Sequence, residues 1–436
     1  MEPKLFLQNI FKKALDRCSP SVVVSESVSI DQEGNLQLRN QQFAAGIPVY
    51  VLAVGKAAIP MFGAINTILG DRITSSLVIT PNWQKASDCP ADDVIVSSHP
   101  SPDERSVEAG RTTTRFLENI PEESLIIALI SGGTSSSLCL PPESIPVDDL
   151  NRTFDLLNGS GATIRDINTV RKHCSKLKGG QLLSYLDPKV SLVDLVISDV
   201  PNDDLSIIGS GPTTPDSSTF QDAYHILLEY ELWERIPDSI RAHVEKGLTG
   251  EVPETVKPGR DPIKSHQSYI ISSAHDLAET AGDLAENKCQ SYVAEEAYNE
   301  DVKDVAAMIS NRIDELQDKS LKPLLLIFYG ESTVNVAGDG KGGRNQELAL
   351  LGALKIAGKE NVTWLSAGTD GVDGPTDAAG AIVDEKTISR AREKEIDPET
   401  YLENNDSYHF HEQMGTLFKT GPTGNNLMDV VLVLID

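Results

Sequence analysis

Five places in this chain combine a short apolar run with a loop of glycines, hydroxyls and charged side chains. The most concentrated is VDLVISDVPNDDLSIIGSGPTTPD, Val193–Asp216, where a β-branched run opens into a loop carrying Asp199, Asp203 and Asp204. Such a loop at the carboxyl end of a strand in an open α/β sheet is where a ligand crevice forms, although acidic loops also serve as solvated turns. At Gly55-Lys56-Ala57-Ala58 a lysine follows the apolar run PVYVLAV at the start of a predicted helix. A helix start is already electropositive, so Lys56 there fits a phosphate or carboxylate; a snorkelling surface lysine is the plainer alternative. After LIIALI comes Ser131-Gly132-Gly133-Thr134-Ser135. Paired glycines let backbone amides approach an anion closely, and the hydroxyls add donors.

The segment RDINTVRKHCSKLKGG, 165–180, holds the densest basic cluster: Arg171, Lys172, Lys176 and Lys178. A solvated helix face accounts for most of such a run, with one or two of the four turned inward. At 338–347, GDGKGGRNQE places Lys341 and Arg344 beside a helix start, with Arg344 suited to a forked contact on phosphate or carboxylate oxygens. Its glycines 338, 340 and 343 fit G-x-G-x-x-G, but the preceding STVNVA is polar and lacks the strand a dinucleotide site needs. Finally, SAGTDGVDGPTDAAGA, 366–381, sets Asp370, Asp373 and Asp377 among glycines. These carboxylates suit a hydrated Mg²⁺ or tight turns; three acids in one such loop, with a matching set at Asp199, Asp203 and Asp204, favour the metal. The histidines are dispersed and read as structural. G-x-x-x-x-G-K-[ST], G-x-S-x-G and HExxH are absent.

The elements that must position these loops alternate between short apolar runs and helical patterns, which predicts βαβ units and a mostly parallel sheet. Strands are expected at 48–55, 76–81, 93–98, 125–130 and 193–197, and a hairpin over 22–39. Helices are expected at 57–69 and 103–117, with one long helix over 163–184 that stops at Gly179-Gly180. Prolines and glycines scattered over 233–265 mark a domain boundary, giving an N-terminal domain 1–240 and a C-terminal domain 241–436. Beyond it, strands are expected at 268–273, 291–295, 324–330, 362–366 and 428–435, and helices at 275–287, 301–318, 344–357 and 386–395. Leu7, Phe11, Ala14 and Cys18 share a helical face, so the basic N-terminus reads as a docked first helix.

With 436 residues the chain is long enough for two cores, and its 39% hydrophobic and 24% charged residues describe a folded globular protein. The net charge of −27 argues against nucleic-acid binding and against an acidic lipid surface, and makes any local gathering of cations informative. Five scattered cysteines without a CxxC pair suit reduced thiols. No apolar run is long enough to span a membrane and no signal peptide is visible, so a cytoplasmic location is expected, with a mitochondrial one as the alternative.

Taken together, AVGKAA (53–58), HPSPDE (99–104), SGGTSS (131–136), INTVRKHCSKLKGG (167–180), SDVPNDDLSIIGSGPTTPD (198–216), GGRNQELAL (342–350) and GTDGVDGPTDAAGA (368–381) resemble the glycerate 2-kinase family. The resemblance spans nearly the whole chain in the family's order. It implies a Rossmann-like N-terminal domain plus a smaller α/β domain labelled MOFRL, with the active site in a cleft between them. It further implies ATP- and Mg²⁺-dependent phosphorylation of D-glycerate to 2-phosphoglycerate, and points to Lys56 and Arg344 as active-site residues. The full expectation is Lys56, Arg344 and Asp199 as catalytic; Ser131, Gly132, Gly133, Ser135, Lys178, Gly342 and Gly343 as holding substrate or phosphate; and Asp203 and Asp370 as holding Mg²⁺. A monomer or homodimer is expected. Two departures from the family pattern stand out: Asn202 in place of glycine, and Thr134 in place of a smaller residue. The alternatives are an NAD(P)H-dependent hydroxypyruvate reductase, a description older accounts attach to some family members, and a non-catalytic sensor that keeps the cleft.

Overall fold

The computed structural model describes residues 2–317 and 321–436, which divide into two compact units. One comprises residues 23–198 and 203–271; the other comprises residues 1–22, 199–202 and 272–436.

The first unit is built on six strands: β1 (Val49–Val54), β2 (Ile73–Thr80), β3 (Asp93–Val96), β4 (Leu125–Ile130), β5 (Ser191–Ile197) and β6 (Ser265–Ser272). Their spatial order is β3-β2-β1-β4-β5-β6, and the pairings from β3 through β5 are parallel. β4 is buried at every residue, which explains why LIIALI lacks alternation: helices cover both faces of a parallel sheet, so both sides of the strand must be apolar. The strand order reverses between β1 and β4, and in a doubly wound sheet the crevice at the carboxyl ends lies there. The loops after these two strands carry Lys56 and Ser131–Ser137. Helix α1 (Ala58–Leu69) follows β1, α2 (Glu104–Glu118) follows β3, and α3 (Ile164–His173) precedes β5.

Two expectations change here. Residues 22–27 are not a strand: Pro20–Ser27 is helical, Ser27 Oγ donating to Val23 O at 2.7 Å, and the hairpin begins only at Val28–Ile30. The helix expected over 163–184 ends at His173. There the chain turns, because Ser175 Oγ accepts from the amides of Leu177 and Lys178, and a short 3₁₀ segment follows at Gln181–Tyr185. That break takes Lys178 off the helix.

The second unit holds a mixed sheet of β7 (Gln290–Val293), β8 (Leu324–Gly330), β9 (Val362–Gly368), β10 (Gly380–Asp384), β11 (Leu417–Phe418) and β12 (Asp429–Ile435), in the order β7-β8-β12-β9-β10-β11. Only β7 and β8 are parallel; β12 lies antiparallel between β8 and β9. Helices α4 (Ala274–Ala285), α5 (Val302–Gln317) and α6 (Arg344–Ile356) match the expected spans closely, residue 318 lying outside the described residues.

The division expected at residue 240 is drawn differently in space. The N-terminal helix Pro3–Arg17 buries Phe6, Leu7, Ile10 and Phe11 within the second unit, where Phe11 meets Phe418 edge-on at 5.3 Å and Lys4 pairs with Asp384 at 2.7 Å. Conversely, residues 241–271 belong to the first unit, whose sheet β6 completes.

Candidate active site

At the switch point the loops after β1 and β4 interlock. Lys56 N donates to Gly132 O at 2.8 Å, Ala57 N donates to Ser131 Oγ at 3.1 Å, and Ser131 N donates to Val54 O at 3.1 Å. Gly133 is left-handed at φ +85, and a Cβ there would sit 3.0 Å from His99 Cδ2 and 3.2 Å from Lys56 Cγ. Glycine is therefore required twice over, by conformation and by the two side chains crowding it.

The amides of Gly132 and Gly133 donate to no carbonyl or side chain among the described residues, although Gly132 is buried. Backbone donors out of water normally find an acceptor, so two unpaired amides side by side form an anion-binding concavity. Lys56 stands exposed beside them, and among the described residues no carboxylate pairs with its ammonium. His99 faces the same spot. The surrounding protein and the Lys56 charge push its imidazole down to about 4, so the ring is neutral at physiological pH even though part of it meets solvent.

Beneath this loop lies the basic segment, which does not form a solvated helix face. Lys172 is buried and pairs with buried Asp216 at 3.3 Å. Asp216 also accepts from Ser218 and Thr255, and is held below the ordinary carboxylate range because these partners and Lys172 outweigh its burial. Lys176 stays near the surface, 3.9 Å from Glu143. Lys178 is 3% exposed and donates to Ser135 O at 2.6 Å and Leu138 O at 2.9 Å. Burial, with Arg171 nearby, pulls it down to about 8. Two of its three donors are spent on loop carbonyls, so Lys178 acts first as a clamp on the loop rather than as a free phosphate ligand.

Arg171 also turns inward. Its guanidinium lies 4.6 Å over the Phe154 ring, and Nη1 donates to Ser135 Oγ at 3.3 Å and Asn168 Oδ1 at 3.4 Å. Ser135 Oγ lies 2.7 Å from Ser210 Oγ, and Ser210 Oγ donates to Asn168 Oδ1 at 2.6 Å. Ser210, at φ 63, belongs to the loop after β5, as do Asn202 at φ 62 and Asp203 at φ 54. Asparagine thus tolerates the left-handed turn for which the family uses glycine. Thr134 is accommodated as well: its hydroxyl reaches Val54 O and Ser131 O, and the missing side chain of Gly209 leaves room for its methyl group. Asp199 lies two residues beyond the end of β5 and is half-buried.

In the second unit, Arg344 opens α6 but is not a free cation. It forks onto Asp429, Nε to Oδ2 at 2.6 Å and Nη2 to Oδ1 at 3.1 Å, while Nη1 reaches Glu331 Oε1 at 2.5 Å. Asp429 is the first residue of β12; burial pushes its carboxyl up to about 6 against the pull of Arg344. The amino end of α6 is occupied by the protein itself. Asp373 accepts from the amides of Asn345 at 3.1 Å and Gln346 at 2.8 Å, so it serves as a helix cap, not a metal ligand. Gly343 makes room for that carboxylate, since a Cβ there would lie 2.3 Å from Asp373 Cγ; at Gly342 it would lie 2.3 Å from Ser407 Oγ. Gly338 and Gly340 press on Asn404 in the same way, and residues 331–343 contain no strand, so the apparent dinucleotide fingerprint is a packing feature.

Among the described residues no cluster of three or more aspartates, glutamates, histidines or cysteines could hold a metal by itself. Asp370 is exposed; one oxygen accepts from Val372 N at 3.0 Å and the other makes no hydrogen bond among the described residues. Asp203 is half-buried. A hard carboxylate oxygen suits Mg²⁺, which typically takes one or two protein carboxylates and completes its shell with phosphate oxygens and water.

The first unit therefore brings together Lys56, Ser131, Gly132, Gly133, Ser135 and Lys178. Arg344, Gly342, Gly343 and Asp370 gather in the second. Sequence reasoning read His99 as structural, left Arg171 within a basic cluster of which one or two members turn inward, and did not single out Asn168, Ser210 or Asp429. The clue for His99 was its place after a strand; Asp429, opening an apolar run, offered none beyond being an acid at a strand start.

Two family models match the chain in succession. Residues 6–245 match a family described as a domain of unknown function, DUF4147, and residues 324–429 match the MOFRL family. The chain is 38% identical to a protein of Pyrococcus horikoshii named glycerate 2-kinase, over 97% of this chain and 95% of that one. It is 37% identical to a Thermotoga maritima protein named D-glycerate 2-kinase, over 89% and 90% of the two chains. A crystal structure of glycerate kinase from Thermotoga maritima superposes with a TM-score of 0.86 at 35% identity, covering 99% of each chain. Among the described residues, no helix is long and apolar enough to cross a membrane.

Proposed function

The chain belongs to the glycerate 2-kinase family, and from that premise we propose that it transfers the γ-phosphoryl group of ATP to the 2-hydroxyl of D-glycerate, releasing 2-phosphoglycerate and ADP. The observation that carries the reading is the pair of amides at Gly132 and Gly133 beside the ammonium of Lys56, all three without a partner among the described residues. Phosphoryl transfer calls for this kind of fixed positive potential, because the work lies in positioning and in stabilising charge rather than in covalent chemistry.

In this reading Lys56 and the amides of Ser131–Ser135 receive phosphate or carboxylate oxygens. Lys178 holds two loop carbonyls turned inward, which keeps them from opposing the anion. Arg344, held in plane by Asp429 and Glu331, would turn part of its guanidinium from these carboxylates to the ligand at the start of α6, where the amides of Gly342 and Gly343 also lack acceptors among the described residues. Asp199 is assigned as the acceptor of the substrate hydroxyl proton. Asp203 and Asp370 would hold Mg²⁺, which, when bound, supplies neutralisation of the triphosphate charge.

The test is a phosphorus NMR spectrum of the mixture after ATP and D-glycerate are supplied, run beside NADH with hydroxypyruvate. A new phosphomonoester resonance assigned to the 2-position, with ADP, is expected. NADH consumption without that resonance would instead favour the reductase.

A further inference from the structure

Arg171 is a half-buried cation turned inward, and among the described residues it has no counter-charge. No carboxylate pairs with it among the described residues, and its two hydrogen-bond partners are neutral and distant, Ser135 Oγ at 3.3 Å and Asn168 Oδ1 at 3.4 Å. A guanidinium carries five N–H donors in a rigid plane, and among the described residues only Nη1 is engaged. Enclosing such a group without an anion is costly, and burial accordingly draws it down to about 10. Lys178, the neighbouring buried charge, repels it.

The proton wiring sharpens the point. Asn168 Oδ1 can only accept, so Ser210 gives its hydroxyl proton there at 2.6 Å. Ser135 must then give its own proton to Ser210 at 2.7 Å, leaving its lone pairs for Arg171. Both hydroxyl protons are committed, so neither serine has a hydrogen to offer a ligand. What the chain of hydroxyls does is fix one edge of the Arg171 plane, while Phe154 supports its face. The unspent donors belong to Arg171, which reaches from α3 to Ser135 of the loop that carries the free amides of Gly132 and Gly133 and that accepts from Lys56 N through Gly132 O. A ligand with two anionic ends matches that pattern: the phosphoryl group at Lys56, and a planar carboxylate on a rigid fork.

Resting on the kinase reading above, we propose that Arg171 reads the carboxylate of the acceptor substrate, restricting the enzyme to hydroxy acids and fixing which hydroxyl meets the phosphoryl group. The experiment measures ADP release by wild type, Arg171→Gln and Arg171→Lys, with D-glycerate and with the uncharged D-glyceramide, and determines KM for ATP in each. With Arg171→Gln the KM for D-glycerate should rise about 10- to 100-fold, with the KM for ATP within twofold and D-glyceramide turnover within threefold of wild type. Arg171→Lys, which keeps charge but not the fork, should fall between. An unchanged KM for D-glycerate, an equal loss on both acceptors, or a rise confined to ATP would each overturn the assignment. Wild type inactive with ATP and D-glycerate would instead overturn the kinase reading on which it rests.

Discussion

Replacing Lys178 by methionine separates what a buried charge costs the fold from what it gives the site. Burial moves this lysine from its ordinary 10.5 to about 8, which corresponds to roughly 3 kcal/mol against folding at neutral pH. Methionine of similar length removes that cost. It also strands Ser135 O and Leu138 O, whose hydrogen bonds at 2.6 and 2.9 Å disappear. An unsatisfied buried carbonyl costs about 1–3 kcal/mol, so two cost about 2–6 kcal/mol. The opposing terms nearly cancel, and Lys178→Met should shift the unfolding midpoint by only a few degrees. Activity should not be spared, because the carbonyls are those of the loop bearing the free amides of Gly132 and Gly133. A displacement of about 1 Å there is expected to lower kcat/KM for D-glycerate on the order of 100-fold. The assay is ADP release alongside a thermal melt of the same preparation. A variant that melts like wild type and retains kcat/KM within threefold would show that the clamp is dispensable. A midpoint lowered by tens of degrees would show that the buried ammonium is a net stabiliser.

Lys56→Ala and Arg344→Ala should both abolish most turnover yet differ in stability. The exposed Lys56 should change unfolding free energy by less than about 0.5 kcal/mol, whereas loss of Arg344 strands buried Asp429 and should cost about 3–5 kcal/mol by urea titration; equal stabilities would contradict the pairing. His411 is buried, its Nε2 donating to Gln346 O and its Nδ1 accepting from Thr416, and burial holds it down to about 4. Its folded value lies below the unfolded 6.5, so its stabilisation is complete above pH 6.5 and is lost as pH falls through 4. That is a loss of about 3 kcal/mol, which His411→Gln should abolish; parallel pH profiles for variant and wild type would refute it.

The nucleotide-type sheet was legible because its strands are uniformly apolar and their loops keep turn residues at the carboxyl ends, signals that need no partner to be read. Lys56, Ser131, Gly132 and Gly133 came with it, since a loop's place after a strand fixes which side of the sheet it reaches. The local pattern also located α6 and Arg344 at its start.

What the sequence could not decide was which charges would be paired and which left alone. Arg171, Lys172, Lys176 and Lys178 look alike along the chain, yet one is matched by Asp216, one lies near the surface by Glu143, one clamps carbonyls and one has no counter-ion among the described residues. Their partners lie up to 44 residues away, and the turn at Ser175 that redirects Lys178 depends on a single hydroxyl. Asp373 and Asp370 are equally indistinguishable in sequence, although one caps α6 and the other faces solvent. Residue type sets the charge a side chain can carry, but burial and the approach of distant segments set whether that charge is already neutralised, and only the folded chain brings those segments together.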